Sequence, residues 1–339
     1  MGFPVFVSLG QSQHPVKREL EKEIAGTLHR HPDFDVTVVS NLYDLKPDGP
    51  ALEALAHIEG EMLVYSWNYQ RAAHWILDRH GIHGTLGEIE LQPASADDDD
   101  DELEDELEQE DGEQLTRVID SLNLPERQIY CVNLQSSDSA TDFIEEAERI
   151  KTGALDKWIQ GSPSPEQLAR YHQPTNVATA ESSLLPPTIE EDDSRRWYPV
   201  IDFGRCTNCM ECIDFCLFGV YGVNNTETIL VEQPDNCRKG CPACSRVCPE
   251  NAIVFPQHKT PAIAGAAVNV GGLKIDLSLL FGKPEAADVA ARERDEQLLL
   301  AGRAPVDSDI QPLEKRQAGK PTGPADELDA LIDELETLE

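Results

Sequence analysis

The sequence predicts two folded units of different kinds: an α/β unit with a mostly parallel sheet in its first half, and a small α+β unit organised by cysteine in its second. Three observations carry this. Apolar, β-branched runs alternate with helical patterns up to about residue 161, and eight of the nine cysteines fall between Cys206 and Cys248. The segments between and beyond these regions are too charged or too rich in proline to bury a core.

In the first unit, residues 1–161, "FPVFVSLG" (3–10) reads as a strand, and "HPVKRELEKEIAGTLHRH" (14–31) as a helix with Val16, Leu20, Ile24 and Leu28 at helical spacing. Pro15 suits its first turn, where a missing N–H costs nothing. "DVTVVSN" (35–41) is a β-branched strand, "DGPALEALAHIEG" (48–60) a helix, "EMLVYSW" (61–67) a strand and "QRAAHWILDRH" (70–80) a helix. "RQIYCVNL" (127–134) is a fourth strand, in which Cys131 is a small apolar residue rather than a reactive thiol. "TDFIEEAERIKTGALDKWIQG" (141–161) is the closing helix, capped by Thr141 and stopped at Gly161. Strands that are apolar on both faces and alternate with helices make a Rossmann-like sheet covered on both sides.

Ligands of open parallel sheets bind at the strand C-termini. Gln11, Ser12, Ser40, Asn41, Ser66, Asn68, Asn133 and Gln135 follow strands here, although polar residues are common in such loops whatever they do. No G-x-x-x-x-G-K-[ST] or G-x-G-x-x-G phosphate loop is present. His14, His74, His80 and His83 are candidate ligands that nothing in the sequence brings together.

Between the third helix and the fourth strand, 13 of the 17 residues in 97–113 are acidic, a solvated and disordered insertion by charge alone. Residues 162–196, with "GSPSP", "QPTN" and "LLPPTIEEDDS", read as a linker, and residues 258–339 as an extended, disordered tail. Within that tail 325–338 is amphipathic, with Leu328, Leu331, Ile332, Leu335 and Leu338 on one face.

Lysine plus arginine number 28 against 63 aspartates and glutamates, a net charge of −35. Such a surface repels nucleic acid and anionic membranes and steers toward protein partners with basic docking surfaces. The first apolar run lacks a preceding basic residue and a following cleavage site, so it reads as a strand rather than an export signal. No apolar run approaches the roughly 18 residues of a membrane span. A cytoplasmic protein is expected, and in that reducing compartment disulfides are disfavoured.

The cysteines repeat. Cys206, Cys209, Cys212 and Cys216 read C-x2-C-x2-C-x3-C; Cys237, Cys241, Cys244 and Cys248 read C-x3-C-x2-C-x3-C-P, with one residue added between the first two. Three close cysteines wrap a tight loop around one face of a compact iron–sulfur cube, and a fourth, one helical turn on, points toward a neighbouring cube. Structural zinc sites use separated ligand pairs, so an uninterrupted triplet leaves an odd thiolate, and the spacing favours iron–sulfur over zinc.

On both quartets and on Pro249, residues 197–257 resemble the bacterial-type ferredoxins that carry two [4Fe-4S] clusters. The resemblance covers some 60 of 339 residues. It implies two [4Fe-4S] clusters, one held by Cys206, Cys209, Cys212 and Cys248, the other by Cys237, Cys241, Cys244 and Cys216. Two departures stand out: Leu217 follows Cys216 where the family has proline, and the loop "CRKGC" is one residue wider, with Gly240 free to adopt an unusual backbone.

Around the cysteines, "YPVID" (198–202) is expected to pair with "NAIVF" (251–255), and "GVYGV" (219–223) with "TILVEQ" (228–233) across "NNTE". Ile213, Phe215, Phe218, Val220, Val247 and Ile253 are the expected lining, and Arg205, Arg238, Lys239 and Arg246 gather cations where an anionic cluster would sit. The function this points to is single-electron relay between redox partner proteins, with no catalytic residue of its own. Two alternatives compete: an oxidoreductase or its subunit whose α/β unit binds a small molecule, and an interaction scaffold with structural clusters.

Overall fold

The computed structural model describes residues 2–93, 116–160, 185–191, 194–266 and 286–306. The acidic run at 97–113, most of the linker, residues 268–282 and the terminal amphipathic segment 325–338 lie outside the described residues. Residues 1–294 form one compact unit and 295–339 another.

The first part of the chain is a six-stranded parallel sheet with helices, an α/β fold. Its strands are β1 (Phe3–Ser8), β2 (Phe34–Val39), β3 (Met62–Ser66), β4 (Thr85–Leu86), β5 (Gln128–Asn133) and β6 (Thr188–Ile189), in the order β4-β5-β3-β1-β2-β6. Every pairing is parallel. The helices are α1 (Pro15–Arg30), α2 (Pro50–Ala56), α3 (Gln70–Arg79) and α4 (Ala140–Gln160).

Side chains alternate across the central strands, and each face has its own core. Val5, Val7 and Leu63 pack on Ile24 and Leu28 of α1 and on Phe143 and Ala147 of α4. Phe6, Val64 and Cys131 pack on the other face, with Leu52 and Leu55 of α2 and Ala73 and Ile76 of α3. Val16, the first position of the expected apolar stripe of α1, lies in the first turn of that helix and is 63% exposed, while Leu20, Ile24 and Leu28 are buried.

Two edge strands differ from the sequence reading. Thr188–Ile189, expected to be linker, pairs in parallel with Val38 and Val39 of β2, and Glu191 beyond it accepts from Ala51 N at 2.9 Å. Thr85–Leu86 pairs with the start of β5. Two-residue strands have no alternation to read, and partner backbone alone fixes them.

The cysteine segment contains β7 (Val200–Ile201), α5 (Glu211–Phe215), β8 (Tyr221–Val223), β9 (Ile229–Val231), α6 (Ala243–Val247), β10 (Ile253–Val254) and α7 (Pro261–Ala264). β7 pairs antiparallel with β10, and β8 with β9. Asn224 Oδ1 closes the β8–β9 turn by accepting from the N–H groups of Thr226 and Thr228, both at 2.9 Å. A further helix, α8 (Ala286–Leu300), lies in what the sequence offers as disordered tail.

Instead of hanging from a linker, the cysteine segment shares a core with the sheet. Tyr198, Val200 and Val254 belong to the apolar cluster of α2 and α3, whereas Ile201 and Ile253, facing oppositely, belong to the cluster around the cysteines. Tyr43 and Tyr198 stack with ring centroids 4.3 Å apart. The Tyr43 hydroxyl accepts from Tyr198 N at 2.6 Å, and the Tyr198 hydroxyl donates to Tyr43 O at 2.8 Å.

Candidate metal centre

Two cavities hold the eight clustered cysteines. One is lined by Cys206, Cys209, Cys212 and Cys248, the other by Cys216, Cys237, Cys241 and Cys244. Each cavity takes three cysteines from one quartet and the last from the other. The exchange has a local cause: Cys216 and Cys248 are the residues at which the five-residue helices α5 and α6 end, both in extended backbone, so each leaves its own loop.

The first loop is shaped by left-handed backbone at Asn208 (φ 60°) and Met210 (φ 66°), which turns successive cysteines inward. Asn208 pins the loop to the hairpin, its Nδ2 donating to Glu227 O and its Oδ1 accepting from Ile229 N, both at 2.9 Å. In the second loop the added residue is absorbed at Gly240, at φ 86°, and Cys237 still lines the cavity with Cys241 and Cys244. Leu217, in place of proline, is partly exposed and leaves Cys216 in the cavity wall.

Hydrogen bonds already point at sulfur. Asn208 N donates to Cys206 Sγ at 3.4 Å, Ala252 N to Cys248 Sγ at 3.2 Å and the Tyr221 hydroxyl to Cys244 Sγ at 3.1 Å. Burial pushes the Cys212 thiol up to about 12, and Cys248, Cys206 and Cys209 push it further in the same direction. Cys237 and Cys244 are raised by burial too, and Cys244 feels Cys237, Cys216 and Cys241. The electrostatic neighbours thus divide the cysteines as the cavities do.

Thiols whose ionisation burial opposes, three in each cavity, fit a positively charged inorganic group that displaces their protons. Among the described residues no three or more His, Cys, Asp or Glu side chains converge on the position of one metal ion. A cube bound through four separate irons asks for thiolates spread around a cavity rather than converging on a point.

Of the expected lining, Phe215, Phe218 and Val220 face the second cavity and Ile253 the first, while Ile213 and Val247 pack behind them. The basic residues are less available than their sequence positions imply. Arg246 is held by Glu293 of α8 at 2.8 and 2.9 Å, and Arg205 lies 3.8 Å from Asp202. Lys239, with Lys46, Arg195 and Arg196, lines a groove that reaches Cys237.

Three contributors were not legible in the sequence. Tyr221 is the hydroxyl donor to sulfur, and Arg294 of α8 lines the second cavity with its guanidinium 4.7 Å from the Phe215 ring. Arg71 of α3, 2.6 Å from Asp202 through Nε, feels the charge of Cys248. Distance along the chain hides Arg71 and Arg294.

At the strand C-termini Asn41, Ser66 and Asn133, with Ser8, accept from nearby backbone N–H groups, while Ser12 and Gln135 are exposed. Leu42 N donates to Ser8 Oγ, Tyr43 N to Asn41 Oδ1, Asn68 N to Ser66 Oγ and Gln135 N to Asn133 Oδ1. The crevice between β1 and β3, where the strand order reverses, is plugged by Trp67, whose indole N–H donates to Glu21 Oε1 at 2.7 Å beside Gly10 N at the same distance. A Cβ on Gly10 would lie 2.7 Å from that indole. His14 is exposed before α1, His74 is buried edge-on to Trp75, and His80 and His83 line one cavity near the C-terminal end of α3.

No helix among the described residues is long and apolar enough to cross a membrane. No family model matches the chain, and no solved structure matches it. Over 66 residues it is 50% identical to an uncharacterized ferredoxin of Methanocaldococcus jannaschii. That match covers 19% of this chain and 44% of the relative, so the chain spans under half of the relative's length. The chain thus contains a ferredoxin-like segment, joined through a common core to an α/β sheet with no family assignment.

Proposed function

We propose that the protein is an iron–sulfur electron-transfer protein that relays single electrons between redox partner proteins. The observation that carries this is the exchange of fourth cysteines between two four-thiol cavities. In this reading Cys206, Cys209, Cys212 and Cys248 hold one [4Fe-4S] cluster, and Cys237, Cys241, Cys244 and Cys216 the other. Two such groups supply one-electron transfer at low potential.

The chain's own residues bind and tune. Eight thiols would lose their protons to solvent as they ligate iron, N–H and O–H donors at Cys206, Cys248 and Cys244 would offset charge on sulfur, and the apolar walls would limit water. No general acid or base is required, since the chain contributes position, potential and docking surface. The net charge of −35 favours basic partner surfaces, in the cytoplasm and away from nucleic acid and membranes.

Anaerobic purification tests the reading. A brown protein with about eight iron and eight sulfide per chain, and two interacting paramagnetic centres on reduction, is expected. A colourless protein with stoichiometric zinc would overturn it.

A further inference from the structure

A third cavity, of about 520 Å³, opens between α3, the 3-10 turn Val118–Ser121 and β9. It is large enough for a small-molecule site, for which roughly 300–1,000 Å³ is usual. Trp75, Phe203 and Leu122 give it apolar walls, the Trp75 and Phe203 rings meeting edge to face at 5.7 Å. Asp78, Arg79, His80 and His83 supply its charged and ionisable groups, and Asn123, Asn224 and Thr228 further polar ones. Ile201 and Ile229 line both this cavity and that of Cys206, so one layer of side chains separates the two.

Arg79 is the informative residue. Its guanidinium lies over the Tyr198 ring, 4.7 Å from the centroid, and its Nε is buried without a hydrogen-bond partner. Among the described residues it makes no ion pair, for Asp78 is engaged by His83 at 2.8 Å and Asp235 by Arg196 at 3.0 Å. A desolvated cation without a counter-ion is costly to keep, and an arriving anion relieves that cost. Beside it His80 Nε2 is also buried and unpartnered. Burial holds the His80 pKa down at about 4, so near neutral pH the ring is uncharged and has one N–H to donate.

We propose that this cavity binds a ring-bearing organic anion, the ring against Trp75 and Leu122 and the anionic group on Arg79, with His80 as a second polar contact. The α3 C-terminus offers carbonyl oxygens rather than N–H groups, so the anion is recognised by side chains and not by the helix end. Binding stands independently of the electron-transfer reading; only a redox role for the ligand would rest on it.

The test is calorimetric titration of the anaerobic holoprotein with flavin mononucleotide and with riboflavin, which share a ring system and differ in the phosphate. One flavin mononucleotide per chain is expected, with riboflavin at least tenfold weaker. Arg79→Gln should lower flavin mononucleotide affinity to that of riboflavin, and Arg79→Lys, which keeps the charge, should restore part of the difference. Leu122→Trp, at a 38% exposed position in the cavity wall, should weaken both ligands at least tenfold without touching Arg79. Absence of saturable binding, or affinity unchanged in both Arg79→Gln and Leu122→Trp, overturns the proposal. Iron content is read on the same samples: full iron without flavin binding sinks this site alone, and flavin binding without iron sinks only the electron-transfer reading.

Discussion

The Tyr221 hydroxyl donates a hydrogen bond to Cys244 Sγ at 3.1 Å, inside a cavity where both residues are buried. A donor to a thiolate stabilises the more negative, reduced state of whatever metal group that thiolate holds. Tyr221→Phe keeps the ring and removes the donor, and is expected to lower the reduction potential of the second centre. A differential of about 1 kcal/mol for one hydrogen bond corresponds to roughly 40 mV for one electron. Redox titration followed by paramagnetic resonance reads it; an unchanged potential would show that the bond does not tune this centre.

Single cysteine variants distinguish exchanged from local ligation. Cys237→Ala should damage mainly the second centre, and Cys248→Ala, although it lies in the same quartet, mainly the first. Iron content and the resonance spectrum of each variant decide. Loss confined to the second centre in both would refute the exchange.

Tyr43 and Tyr198 join the sheet to the cysteine segment by stacking and two-way hydrogen bonds. Tyr43→Phe leaves the buried Tyr198 N–H without its acceptor, at a cost of about 1–3 kcal/mol. A lower midpoint in thermal unfolding is expected, with α/β and cysteine signals still lost together. Separate transitions in the wild-type protein would contradict the shared core.

His74 is buried, and desolvation holds its pKa down at about 4. The unfolded chain takes up this proton near pH 6.5, whereas the folded chain resists it until about pH 4, so stability is present above pH 6.5 and declines as pH falls through that window. The full decline is ~3 kcal/mol for this residue. His74→Phe preserves a ring beside Trp75 and should make stability against pH shallower by about one proton. Comparison with the wild type under identical conditions cancels acid sensitivity common to both, and parallel curves would assign the acid response elsewhere.

The Cys237–Cys241 loop shows where sequence reading reached and where it stopped. Spacing alone exposed the repeat, its extra residue and the glycine that accommodates it, because ligand spacing and left-handed backbone are local properties. Strand and helix alternation likewise announced the parallel sheet, since apolar periodicity is written along each element. The pairings of Ile201 with Ile253 and of Val200 with Val254 were legible for the same reason, being short apolar runs on either side of the cysteines.

What tertiary structure alone decided is which distant residues meet. Arg71, Arg294 and Glu293 reach the cysteine segment from helices far along the chain, and Trp67 sits in the crevice at which open parallel sheets bind ligands. Thr188–Ile189 became a strand only because β2 presents an unpaired edge. His80 and His83 were candidates that nothing in the sequence brought together, and Asp78 and Arg79 were not singled out; packing of α3 against the cysteine segment puts all four in the wall of one cavity. Sequence determined the elements and the metal-binding pattern because short-range sterics and ligand spacing are encoded locally. Burial, charge pairing and cavity shape depend on surfaces that exist only once the two parts share a core.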